Sequence, residues 1–348
     1  MRYRIAVVGA RIGAKHVEAI RALPDRYELS AVCDLDRVRA ARIADKVPIV
    51  ADYARLLEQN DIDIVALCTP SHLHLEQTLA AQASGRHVVC EKPVAATIEE
   101  LDRLAAAVRE TNCLVFPVLQ KRHGNGLQRL RYLADRNLLG RLYVASAESH
   151  WSRGADYYAN PWRGRIATEP GGTLMTHAIH QHDMMLSIVG PVRSVFARIA
   201  TRVHDIETED CASIVATTED GGLLSLSATV GSHAPVSRLR FCFEHLTAES
   251  SSSQKAPHHD PWTFTPAEPM RGQIEAALAD FAPGAEDYVA LYRSIHADLE
   301  TGRNTGRLDE FRPVLALTQA AYQSAREGHE VTLSDPLRAA AVSATHSQ

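Results

Sequence analysis

The chain has 348 residues, 23% of them charged, with a formal net charge of −5 and six cysteines. That length exceeds one ordinary hydrophobic core and suits two domains. The weakly acidic balance excludes the basic surface that nucleic acid or an anionic membrane requires, and leaves a small molecule as the expected partner.

Met1 leads almost directly into the apolar run RIAVV, and nowhere do about 18 apolar residues follow one another. A soluble cytoplasmic protein without leader or membrane span is expected. Over the first 120 residues, apolar runs at 4–9, 29–34, 64–70, 87–93 and 114–119 alternate with helical patterns. In one of those patterns Leu101, Leu104, Ala105 and Val108 share a face. Strand runs that are apolar throughout and spaced by helices predict a parallel sheet covered on both sides.

GARIGAKH, residues 9–16, stands between the first run and the helix after it, where a dinucleotide-binding loop belongs. In that fingerprint the first glycine makes a tight turn, the second lets backbone approach a pyrophosphate, and a third glycine or alanine lets helix pack on strand. Gly9 and Ala14 fit the first and third roles, while Arg11 occupies the second; in a register one residue shorter, Gly13 takes the packing role. Gly9, Arg11, Ile12 and Gly13 are therefore candidate cofactor contacts. The amides at a helix N-terminus do not depend on residue 11, and a guanidinium can itself pair with a pyrophosphate. Asp34 ends the second run 25 positions after Gly9. A carboxylate there accepts from the adenine ribose hydroxyl and repels a 2′-phosphate, so NAD is expected rather than NADP, with Arg37 close enough to soften the preference.

After residue 120 the pattern changes to longer alternating strands at 142–150, 194–200, 212–230 and 238–246, with a hairpin turn at Asp220-Gly221-Gly222. Helical patterns return at 271–281, 286–300 and 313–327. The expected architecture is α/β: a Rossmann domain over 1–121, an α+β domain with a large, mostly antiparallel open sheet over 122–335, and a tail over 336–348. The polar stretch 249–260 reads as a mobile loop between strands. The cysteines lie singly in apolar, strand-like runs without metal or redox spacing, so buried free thiols are expected. HAIHQHD, 177–183, offers His177, His180, His182 and Asp183 as metal ligands. On one helix, however, His182 points away from His177 and His180, and no metal is expected.

Three stretches carry a family resemblance over nearly the whole chain: CTPSHLHLEQTLAAQASGRHVVCEKP (68–93), WRGRIATEPGGTLMTHAIHQHDMMLSIVG (162–190) and AAYQSAREGHEV (320–331). They resemble the glucose-fructose oxidoreductase, inositol dehydrogenase and rhizopine-catabolism family (Gfo/Idh/MocA). The resemblance implies an NAD-dependent oxidoreductase that moves hydride between the nicotinamide and a secondary alcohol of a sugar, inositol or sugar derivative. It implies that Thr69, Pro70 and His74 touch the cofactor, and that Glu91, Lys92 and Pro93 form a motif whose X-Pro bond is cis. Lys92 would lie beside the nicotinamide and the substrate oxygen, and His180 would exchange the hydroxyl proton. Asp183 would orient that ring or bind a sugar hydroxyl, and Trp162 and Arg163 would approach the cofactor.

Many members carry an aspartate four residues before the histidine, where this chain has Thr176. A threonine holds no charge, which leaves the proton chemistry to Lys92 and His180 unless Asp183 or Glu148 substitutes. Arg153, Tyr157, Tyr158 and Arg165, with Arg122 and His123 after the first domain, are candidate substrate contacts. A homodimer or homotetramer through the second domain's sheet is expected. Two rival readings remain beside the dehydrogenase: a non-catalytic NAD-binding sensor, and a redox-assisted glycosidase that keeps its NAD.

Overall fold

A computed structural model describes residues 1–302 and 307–333 of the chain. Its backbone divides into two units, one made of Met1–Val118 with Tyr288–Asp309, the other of Leu119–Asp287 with the described residues from Glu310 onward. The helix beginning near residue 288, which the sequence reading put in the second domain, thus packs in the first unit. The tail expected over 336–348 lies outside the described residues.

In the first unit the apolar runs become six strands: β1 (Tyr3–Val8), β2 (Tyr27–Cys33), β3 (Ile49–Val50), β4 (Ile64–Leu67), β5 (His87–Cys90) and β6 (Val115–Pro117). They form one sheet in the order β3-β2-β1-β4-β5-β6, parallel throughout. This is the doubly wound Rossmann order, whose ligands lie beyond the carboxyl ends of the strands where the order reverses. Ile5, Val7, Ile64, Val65, Leu67, Val88 and Val89 are all fully buried, as strands covered on both faces must be. The helix Ile98–Thr111 shows how local signals set an element. Thr97 caps it by accepting from Glu100 N at 3.2 Å, Leu101, Leu104 and Val108 are buried on one face, and Asn112 ends it at φ 57°.

The second unit carries eight strands: β7 (Leu142–Ser152), β8 (Val192–Ala200), β9 (Cys211–Thr218), β10 (Leu223–Thr229), β11 (Gly231–Phe243), β12 (Leu246–Glu249), β13 (Thr263–Pro266) and β14 (Val331–Thr332). Their order is β13-β12-β11-β7-β10-β9-β8-β14, and only the β7–β10 pair is parallel. Alternation decides which face is buried: Ala212, Ile214 and Ala216 point inward while Ser213 and Val215 are exposed. The 218–222 turn closes the β9–β10 hairpin as expected, with Thr218 N donating to Gly222 O.

Two expectations need correction. Cys33, Cys68, Cys90 and Cys113 are buried free thiols, but Cys211 and Cys242 are only half-buried, because both occupy the sheet's outward alternation. The stretch 249–260 is not loose along its whole length. The His258 carbonyl accepts from Gly126 N and Leu127 N at 3.0 and 3.3 Å, which anchors the end of the loop.

Candidate active site

The glycine-arginine loop has the geometry its sequence requires. Gly9 sits at φ 93°, and a Cβ there would come within 2.5 Å of the Cys68 carbonyl oxygen, so only glycine lets β1 turn against β4. A Cβ on Gly13 would meet Val7 Cγ1 at 2.7 Å, which gives Gly13 the helix-on-strand packing role and settles the register in favour of the shorter loop. Arg11 and Ile12 are exposed, and the helix Gly13–Arg21 begins without a side-chain cap, leaving its first amides available to an anion. Asp34 lies under this turn: Oδ2 accepts from Ala10 N at 2.7 Å and Oδ1 from Asp36 N at 2.8 Å. A carboxylate has lone pairs for further donors, so these bonds fix Asp34 without exhausting it. Arg39 also lies beside Asp34, with Nη1 3.9 Å from Oδ2.

The turn after β5 is built as firmly. The Lys92–Pro93 bond is cis. Buried Glu91 accepts from Tyr288 Oη at 2.8 Å, faces His16 Nε2 at 3.3 Å, and lies 3.3 Å from the Lys92 amide. Burial alone would raise its carboxyl pKa, but His16, the Lys92 charge and the Tyr288 hydroxyl outweigh burial and hold it below the usual range. His16 in turn sets Nδ1 2.8 Å from Tyr292 Oη. The residue before Lys92 is thereby locked to the helix that follows the dinucleotide loop. His74 is 2% exposed, with its ring nitrogens 2.8 Å from Pro93 O and 2.9 Å from Thr69 O. It ties the Thr69-Pro70 turn to the Pro93 turn and so positions both. Thr69 and Pro70 are half-buried, and Thr69 donates to Gln77 Oε1 at 2.6 Å.

In the second unit the histidine-rich stretch is not one regular helix. Leu174–Ala178 is a π-helical turn, followed by the α-helix Ile179–Val189. π-Turns shift the helical phase and recur at functional sites. The turn starts at Gly171-Gly172, where a Cβ on Gly172 would lie 1.8 Å from Glu209 O. Buried Glu209 receives Gly172 N at 2.8 Å, Leu174 N at 2.9 Å and Tyr322 Oη at 2.9 Å, so one carboxylate caps the π-turn.

A directed hydrogen-bond chain then runs along one side. Arg153 Nε donates to His177 Nε2 at 3.0 Å, His177 Nδ1 lies 2.7 Å from Thr176 Oγ1, and Thr176 donates to Gly172 O at 2.7 Å. Because the guanidinium can only donate, His177 carries its proton on Nδ1. Trp151 and Tyr157 pack on that ring at 5.2 and 5.5 Å between centroids, and the Arg153 guanidinium lies over both aromatic rings. Arg163 stacks on Trp162 at 3.7 Å and pairs with Glu169 at 2.5 Å. Arg153, Tyr157, Trp162, Arg163 and Thr176 therefore belong to one polar and aromatic cluster, centred on His177. Sequence reading gave His177 only a discarded metal role; the signal for it is an aromatic and cationic set on either side of a Gly-Gly turn.

His180 is 5% exposed on the α-helix after the π-turn. Asp183, expected beside it as an orienting or sugar-binding group, is instead gripped by Arg122, through Nε at 2.8 Å and Nη2 at 2.6 Å. Arg122 also donates to the Glu310 carboxylate at 2.9 Å and to its carbonyl at 2.8 Å. Burial alone would lower the Arg122 pKa, but Asp183 and Glu310 more than offset it and keep the guanidinium charged. With four donors in use, Arg122 positions the helix from which His180 projects and offers little to a substrate.

Sheet order, glycine loop and acidic strand end together define a dinucleotide-binding Rossmann protein. Residues 3–118 match a family model described as "Oxidoreductase family, NAD-binding Rossmann fold", and residues 127–249 match the GFO/IDH/MocA C-terminal domain. The chain belongs to the Gfo/Idh/MocA family, and residues 3–118 are that family's NAD-binding domain.

Among relatives, it is 27% identical over 199 residues to myo-inositol 2-dehydrogenase of Thermotoga maritima, covering 56% of this chain and 57% of that one. It is 29% identical over 209 residues to D-glucoside 3-dehydrogenase of Escherichia coli, covering 57% and 59%. The chain thus matches less than two thirds of those relatives' lengths. The solved WlbA dehydrogenase of Bordetella pertussis, in complex with NADH and UDP-GlcNAcA, is similar across 96% of this chain and 98% of its own, with 29% identity and a TM-score of 0.83.

Proposed function

We propose that the protein is an NAD-dependent dehydrogenase or reductase acting on a secondary alcohol or ketone of a sugar, inositol or sugar derivative. The observation that carries this reading is the Asp34–Ala10 bond beneath a glycine turn that admits no Cβ, because it aims uncapped helix amides and a carboxylate at one ligand, as a dinucleotide requires. Bound NAD would supply the hydride acceptor. The Lys92 ammonium polarises the substrate oxygen, and His180 takes the hydroxyl proton as the carbon loses hydride. Glu91 fixes the Lys92 turn from behind. In the π-turn cluster Arg153 and Tyr157 meet the substrate's hydroxyls, while His177, with both ring nitrogens engaged, fixes the Arg153 guanidinium.

The same reading divides the chain near residue 121 into cofactor and substrate domains. Among the described residues no helix is long and apolar enough to cross a membrane. All six cysteines are free thiols, which fits our assignment to the reducing cytoplasm. We assign the open face of the second sheet to homo-oligomer contact: it exposes Val144, Val215 and Leu223, which the strand register puts on one face. Sedimentation at micromolar concentration should give a dimer or tetramer, and a monomer would remove that assignment.

The decisive experiment is calorimetry with NAD and NADP, followed by NADH absorbance with a panel of inositols, glucosides and UDP-linked uronates. Selective NAD binding with turnover of one panel class supports the proposal. Selective binding without hydride exchange on any compound would favour the sensor reading, and cofactor that co-purifies without net NADH formation the glycosidase.

A further inference from the structure

Away from the residues discussed so far, the second unit brings three donors to one point. His258 Nε2 lies 2.7 Å from Asp287 Oδ1, His259 Nε2 lies 2.9 Å from Asp287 Oδ2, and these ligand atoms all fall within 4.8 Å of one another. Glu286 Oε2 is 3.9 Å from His259 Nε2. Consecutive residues usually direct their side chains apart, yet here the two imidazole centroids are 4.3 Å from each other, inclined at 59°, with both Nε2 atoms on one carboxylate.

The backbone on both sides is held for this purpose. The His258 carbonyl is fixed by Gly126 N and Leu127 N, and Trp262 Nε1 donates to Pro257 O at 2.8 Å. Opposite, Glu286 Oε1 accepts from Asn125 N at 2.7 Å. Asp287 itself adopts φ 51°, a conformation that residues with a Cβ avoid and that structures keep where the position is put to use.

We propose that His258, His259 and Asp287 form a divalent transition-metal site of the zinc type, with Glu286 as the fourth ligand. Two imidazoles and carboxylate oxygen are a recurrent zinc donor set. In a tetrahedral shell with bonds of about 2.0–2.1 Å the donor atoms stand about 3.3 Å apart, so the two His–Asp contacts would open by a few tenths of an ångström while the wider spacings, 3.9 Å to Glu286 and up to 4.8 Å within the triad, close onto the ion. His258 is buried and His259 about a third exposed, which gives the ion a firm inner ligand and an entry side. Lys121 is close enough to oppose a cation, but Asp287 and Glu286 together carry twice its charge. The site clips the 249–262 loop to the 284–287 segment, a structural role independent of hydride transfer.

The test uses the full chain stripped with a chelator that is then removed. Zinc titrated by calorimetry should bind at one equivalent with micromolar affinity or better and raise the melting temperature. Cobalt(II) in its place should give the visible absorption of tetrahedral nitrogen-oxygen coordination. His259→Ala and Asp287→Asn should each weaken zinc binding by about 100-fold or more; asparagine tolerates the left-handed backbone, so the second variant keeps its fold. Absence of binding at micromolar zinc, or binding unchanged in both variants, overturns the proposal and leaves a pair of His-Asp hydrogen bonds.

Discussion

Arg122 holds Asp183 in a bidentate grip, with both Asp183 carboxylate oxygens within 2.8 Å of guanidinium nitrogens. Breaking a buried pair by removing one partner strands the other charge, so Arg122→Ala should lower unfolding free energy by about 3–5 kcal/mol in urea. In the Arg122→Ala/Asp183→Asn double variant the cost should fall well short of the sum of the two single losses. Strict additivity would mean that the pair is not coupled.

Asp34 both braces the dinucleotide turn and presents charge to its ligand. Asp34→Ala should raise the NAD dissociation constant by roughly 10- to 100-fold, the worth of one hydrogen bond to a charged group. NADP affinity should suffer less, because the repulsive carboxylate is gone. Arg11→Gly should leave NAD affinity unchanged or improve it, since the side chain is exposed and the helix amides do not depend on it. Calorimetry reads all three, and a large loss in the Arg11 variant would assign the guanidinium to the pyrophosphate.

His182 is fully buried, and neither ring nitrogen finds a hydrogen-bond partner among the described residues. Burial pushes its pKa down to about 4 from an ordinary 6.5. The unfolded chain therefore takes up a proton that the native one refuses. Stability from this group is full above about pH 6.5, declines as pH falls toward about 4, and declines no further once both states are protonated, a total of roughly 3 kcal/mol. Denaturation at about pH 7.5 and about pH 4.5 should show this loss, and His182→Met should flatten it.

Lys92→Ala should reduce kcat by about 10²- to 10⁴-fold while NAD affinity stays within about threefold, because the proposed role of the ammonium is on the substrate oxygen. Turnover near that of the unaltered protein would reassign the residue. His180→Asn should produce a similar loss.

Much of the first unit was legible in the sequence, because its signals are local. Apolar runs spaced by helices can bury both faces only as a covered parallel sheet, and Gly9, Gly13 and Asp34 sit at fixed offsets that one loop geometry requires. The antiparallel second sheet was equally readable from alternation, and the 218–222 turn from its glycines. What was not legible depended on distance along the chain. The groups that hold His74 and Asp183, Pro93 and Arg122, lie 19 and 61 residues away.

By itself, then, the sequence determined most element types, the strand periodicity and the family, since these follow from spacing within a few tens of residues, but not the π-turn at Leu174–Ala178. Only the tertiary structure decided which side chains face one another. It placed Glu209 under the π-turn, oriented His177 through Arg153, tied Glu91 to Tyr288 and closed His258 and His259 on Asp287. These pairings satisfy polar groups that lie wholly or partly out of water, and no local pattern encodes which distant residue will do so.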